Sequence, residues 1–76
     1  MALYKYPQAL QHSNANDFDV VHQPGFATPH SGIYRCTGCG MNEVSTSGHP
    51  LPPQNHHQHR AGLGPIRWQL VVSTHT

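Results

Sequence analysis

The run Cys36-Thr37-Gly38-Cys39, followed at once by Gly40, is the feature that most limits what this chain can fold into. A tight turn can aim two thiolates at i and i+3 toward one ion. Glycine suits the next position because the backbone often turns there with positive φ. Two sulfurs make half of a tetrahedral zinc site. The chain holds no other cysteine, so the other half has to come from another residue type. Three of its eight histidines stand together in His56-His57-Gln58-His59. Sixteen residues separate Cys39 from His56, and the resulting Cys-x2-Cys-x16-His-x2-His spacing falls in the loop range of two-knuckle zinc sites. The expected ligands of Zn2+ are Cys36, Cys39, His56 and His59. His57 in place of His56 gives a workable set. His49 is a third candidate, disfavoured by the adjacent Pro50 and by its distance from the run.

A metal answers a shortage elsewhere in the chain. Only 14 of the 76 residues are Leu, Ile, Val or Phe, and a chain this short buries roughly 60% of the surface it exposes when unfolded. Seven glycines and seven prolines favour turns over long regular elements. Such chains usually fold around a staple, either a disulfide or a metal. The charged fraction of 9% and net charge of +1 argue against the highly charged kind of disorder. Four Lys and Arg residues make no basic stripe for nucleic acid. No apolar run approaches membrane-spanning length, and residues 1–10 lack the pattern of a secretory leader. The composition reads as that of a small cytoplasmic protein with reduced thiols.

Along the chain, residues 1–31 read as an irregular N-terminal arm and residues 32–76 as the folded domain. Within the arm, residues 2–6 and 18–21 are marginal strands, and Phe18, Val20 and Phe26 are expected to pack onto the rest. Residues 32–36 should form a short strand running into the cysteine turn, with residues 41–46 returning. Pro50, Pro52 and Pro53 exclude a central strand or helix interior there. Residues 66–74 form the clearest strand: strict alternation puts Ile66, Trp68, Leu70 and Val72 on one face and Arg67, Gln69, Val71 and Ser73 on the other. The expected core is Phe26, Ile33, Trp68, Leu70 and Val72.

The stretch Gly32-Ile33-Tyr34-Arg35-Cys36-Thr37-Gly38-Cys39-Gly40 resembles the first strand and knuckle of small bacterial zinc-ribbon proteins. Pro24-Gly25 and Pro29-His30-Ser31-Gly32 resemble the lead-in to that strand. Leu51-Pro52-Pro53 stands where such proteins often introduce a second cysteine pair, and this chain supplies histidines instead. The resemblance covers about residues 24–72. It implies a small β-dominated, metal-stabilised domain with a three-stranded antiparallel sheet and zinc at one end, and it implies no activity.

Catalysis is not expected: Asp17, Asp19 and Glu43 are the only acids, none is placed as a general base, and no substrate pocket is foreseeable. The favoured role is a non-catalytic interaction module. A protein partner is favoured over nucleic acid, and no membrane is expected. Tyr34, Arg35, Arg67 and Trp68 are its candidate surface groups, although the weight for Trp68 is on a core position. The first alternative is metal handling, as a carrier or sensor, through the histidine-rich segment. The second is a Cys-x2-Cys thiol redox protein, disfavoured because no helix pattern follows Cys39.

Overall fold

The structure, a computed structural model, describes residues 2–52 and 64–74. Four strands form one antiparallel sheet: β1 (Val21–His22), β2 (Gly32–Cys36), β3 (Asn42–Ser45) and β4 (Trp68–Ser73), in spatial order β1-β4-β2-β3. The sheet is small and β-dominated, as expected. It has one strand more than the three foreseen, because Val21 and His22 of the arm pair with Gln69 and Trp68. The rest of the arm holds two single 3-10 turns, Pro7–Ala9 and Asn16–Phe18, in place of marginal strands. Pro7 sits at the start of the first turn, where a missing amide hydrogen costs nothing. Among the described residues no helix is long and apolar enough to cross a membrane.

Register decides which side chains meet. Tyr34 stands opposite Leu70 and Cys36 opposite Trp68, so these four share a face. Together with Leu51 and Ile66 they form the buried core. Between Ile33 and Tyr34 the β2–β4 register slips by one residue, leaving Val71 as the extra residue of a bulge. The slip places Val72 opposite Ile33, on the other face. Strict alternation had put Val72 with Trp68 and Leu70. The bulge corrects that, and Val72 and Ile33 are only half-buried. Phe26 is 59% exposed and Val20 is also exposed, so neither belongs to the core, whereas Phe18 does pack against it.

Four core members, Tyr34, Cys36, Leu51 and Ile66, lie outside the expected core, although Ile66 was expected on the face of Trp68 and Leu70. Tyr34, expected at the surface, is fully buried, and its hydroxyl donates to the carbonyl of His30 at 2.6 Å. Leu51, lodged between two prolines, is carried into the core by an irregular ladder: its amide donates to the Phe26 carbonyl, and its carbonyl accepts from Gly25. An isolated bridge between Ala27 and Pro50 continues this pairing, and Thr28 donates to the His49 carbonyl. The buried hydroxyls of Thr28 and Ser45 bond each other, so neither loses its partner on leaving water.

Candidate metal centre

The cysteine turn grows directly out of β2. Cys36 ends that strand, and its amide donates to the Met41 carbonyl at 2.8 Å. The Gly40 amide donates back to the Cys36 carbonyl, also at 2.8 Å, which closes the loop that carries Cys39. Gly40 has φ +84, the left-handed conformation that a residue with a Cβ enters only at a cost. The Arg35 guanidinium lies over this turn: a Cβ on Gly40 would stand 3.5 Å from its Nη2. A further backbone bond, from the Thr37 amide to the Arg67 carbonyl, ties the turn to the segment leading into β4.

Both cysteines are thiols not joined in a disulfide, and they differ in exposure. Cys36 is fully buried in the core cluster, and Cys39 is exposed. His56, His57 and His59 lie outside the described residues. Among the described residues no group of three or more His, Cys, Asp or Glu side chains gathers in a way that could hold a metal. The cysteine turn has the donor chemistry of half a zinc site, two sulfurs three residues apart on a closed loop.

The ends of the undescribed stretch are well defined. Pro52 precedes it, and its carbonyl accepts a 3.1 Å hydrogen bond from the Trp68 indole. Trp68 is the strand partner of Cys36, and the two share a face. Gly64 follows the stretch, three residues before the Arg67 carbonyl that receives Thr37. Pro52 is thus linked through Trp68 to the strand that carries Cys36, and Gly64 precedes the residue that receives Thr37. His49 lies elsewhere. Its amide donates to Thr46, and Ser45 pairs with Gly32, so His49 stands at the end of β2 opposite Cys36. Four residue steps of strand put that end about 13 Å from Cys36.

Two histidines outside the run, His22 and His30, take part in the packing of Tyr34. His22 meets the Tyr34 ring edge-on, with centroids 6.2 Å apart, and His30 supplies both backbone partners of the Tyr34 hydroxyl. His30 also approaches Asp17 at 3.6 Å. Burial pushes the Tyr34 hydroxyl pKa up, the His30 amide opposes this by donating to the phenol oxygen, and the charge of Asp17 adds to the rise. The only hint in the sequence was the position of Tyr34 two residues before Cys36, which puts both on one face of any strand.

Of the other expected surface groups, Trp68 is fully buried, in keeping with its core reading. Arg35 is exposed, and Arg67 is half-buried with its guanidinium donating to the Ile66 carbonyl at 2.7 Å. A shallow depression of about 500 Å³ lies near the Gly32 end of β2, lined by Pro29, His30, Ser31, Ser47 and Thr74. It is remote from the cysteine turn.

The chain is similar to Protein L of Escherichia coli, at 54% identity over 55 residues. The match covers 72% of this chain and 62% of that protein, so the chain spans less than two thirds of the relative's length. No protein-family profile matches the chain, and no solved structure matches it.

Proposed function

We propose that this chain is a small zinc-ribbon-like protein in which Cys36, Cys39, His56 and His59 hold one structural zinc, and that it acts as a non-catalytic interaction module for another protein. What supports the zinc reading is that Pro52 bonds Trp68, the strand partner of Cys36, and that Gly64 stands three residues before Arg67, whose carbonyl receives Thr37 of the turn. His56 is four residues beyond Pro52, and His59 is five residues before Gly64. At about 3.3–3.6 Å per residue, either imidazole can reach the turn from its own anchor. His49, at the far end of β2, has no comparable support. Zinc bound there would join the cysteine turn to the segment that carries the histidines, and its binding free energy would act as folding free energy.

The interaction reading rests on the face of the sheet away from the core. Val44 is 75% exposed on β3, beside the half-buried Ile33 of β2 and Val72 of β4, with Val21 exposed on β1. This apolar strip, with Arg35 beside it, replaces Tyr34 and Trp68 as the surface a protein would recognise. A partner of apolar complementarity suits it better than nucleic acid: Lys5, Arg35 and Arg67 are the only described cations, and Arg67 is engaged with its own backbone.

Native mass spectrometry of the purified chain, before and after a chelator and paired with circular dichroism, tests the zinc reading. One zinc per chain, with structure lost on chelation, is the expected result. Several loosely held ions would favour metal handling, and no metal with unchanged structure would remove the site.

A further inference from the structure

The chain carries two exposed apolar surfaces. The first is the sheet face away from the core, where the register sets Val44, Ile33 and Val72 in one row across β3, β2 and β4. The second is the outer arm, residues 2–10. Leu3 is 93% exposed, and Tyr4, Tyr6 and Leu10 are exposed with it. Four large apolar side chains thus fall within eight successive residues. A single exposed apolar side chain is ordinary, whereas a cluster marks an interaction site. The outer arm also has local order. The Ala9 and Leu10 amides donate to the Tyr6 and Pro7 carbonyls and close the 3-10 turn. The Lys5 ammonium lies 5.2 Å from the centroid of the Tyr6 ring. Such order lowers the entropy lost when a segment docks.

Within one chain neither surface covers the other, since Leu3 and Val44 both stay exposed. We propose that the outer arm of a second copy occupies this sheet face, and that two copies exchange arms about a two-fold axis. This rests on the recognition reading of the face given above and names its partner. Length suffices: at about 3.3 Å per residue, residues 3–10 reach up to about 26 Å, against about 14 Å across four strands. Area suffices as well. Two such arms and the two faces beneath them bury on the order of 1,200 Å², the lower end of stable specific interfaces. Arg35, exposed in the next row of the face, offers its guanidinium to the tyrosine rings of the arm. Each copy gives one arm and fills one face, so the assembly closes at two.

Sedimentation velocity of the full chain, over on the order of a hundredfold range of concentration, tests the proposal. A reversible monomer–dimer equilibrium is expected. The double change Tyr4→Ser, Tyr6→Ser in the arm and the single change Val44→Lys in the face should each raise the dimer dissociation constant about tenfold or more. All three positions are exposed, so circular dichroism should match the parent. Mixing the two variants should restore part of the association, because one sound arm then meets one sound face. A chain that is monomeric throughout would overturn the proposal and leave the face to a different protein. Dimers that resist Val44→Lys would overturn both the proposal and the recognition reading of the face. No recovery on mixing would overturn the exchange, because arm-to-arm or face-to-face contact behaves in that way.

Discussion

Tyr34 and Val44 stand on adjacent strands of one sheet, yet the first is fully buried and the second is 75% exposed. The difference comes from what crosses each face. Over Tyr34, Cys36, Trp68 and Leu70 the chain returns twice, bringing Leu51 on the ladder opposite residues 25–27 and Ile66 on the lead into β4. Beneath Ile33, Val44 and Val72 no described element supplies comparable cover. A chain with 14 large aliphatic and Phe residues can close one face of a sheet and has little left for the other. The closed face specifies the fold, and the other face is the one the described residues leave more exposed.

Substitutions should therefore separate the two faces sharply. The largest effect is expected at Trp68, whose removal in Trp68→Ala empties the centre of the closed face and frees the Pro52 carbonyl from its anchor. A loss of about 3–5 kcal/mol is typical for such a change, a large share of the stability of any small domain. Circular dichroism in zinc-containing buffer should show an unfolded or barely folded chain. If Trp68→Ala melts like the parent, the closed face is not what holds the sheet together.

Gly32→Ala comes next. A Cβ at Gly32 would stand 2.0 Å from the Val72 carbonyl oxygen and 3.0 Å from its carbon, both backbone atoms, so β2 and β4 would have to part at the bulge. Overpacking of this kind costs about 1–3 kcal/mol, which thermal melting should resolve. An unchanged midpoint would mean that the two strands do not approach as closely as the register requires.

A pH effect should also follow from the closed face. The Tyr34 pKa is raised in the folded chain, so its contribution to stability is fully present below the ordinary tyrosine value of about 10. It is lost as pH rises through the folded value, because the unfolded chain ionises first. Urea titrations at pH 8 and above pH 10 should show this alkaline decline in the parent and a smaller one in Tyr34→Phe. Equal declines in both would assign the effect to other groups.

The smallest effect belongs to the open face. Val44→Thr keeps the β-branched shape on an exposed position and should change stability by no more than about 0.5 kcal/mol. Its consequence should appear instead as weaker association with a protein partner. A Val44→Thr variant as unstable as Gly32→Ala would show that the open face is covered after all, and would erase the distinction between the two.

These contrasts also explain how far the sequence could be read. β4 was legible because Ile66, Trp68 and Leu70 alternate with Arg67 and Gln69 in the period of a strand, and β2 because it runs directly into the cysteine turn. The face of Val72 was not legible, because a bulge belongs to the pairing of two strands and leaves no mark in either alone. Leu51 was hidden for a related reason: one apolar residue between prolines gives no periodicity, and only its bonds to Gly25 and Phe26 carry it inward. Of the site, the cysteine turn and the positive φ of Gly40 could be foreseen from local chemistry. Anchoring of the histidine segment at Pro52 could not, since it depends on an indole sixteen residues away.

The central claim is that two sulfurs from the turn and two imidazoles from the adjoining segment share one ion. X-ray absorption at the zinc edge of the loaded chain tests it most directly. The expected spectrum has two sulfur neighbours at about 2.3 Å and two nitrogen neighbours at about 2.0–2.1 Å. A shell of nitrogen and oxygen alone would contradict the claim, because the metal would then be held by histidines without the cysteine turn.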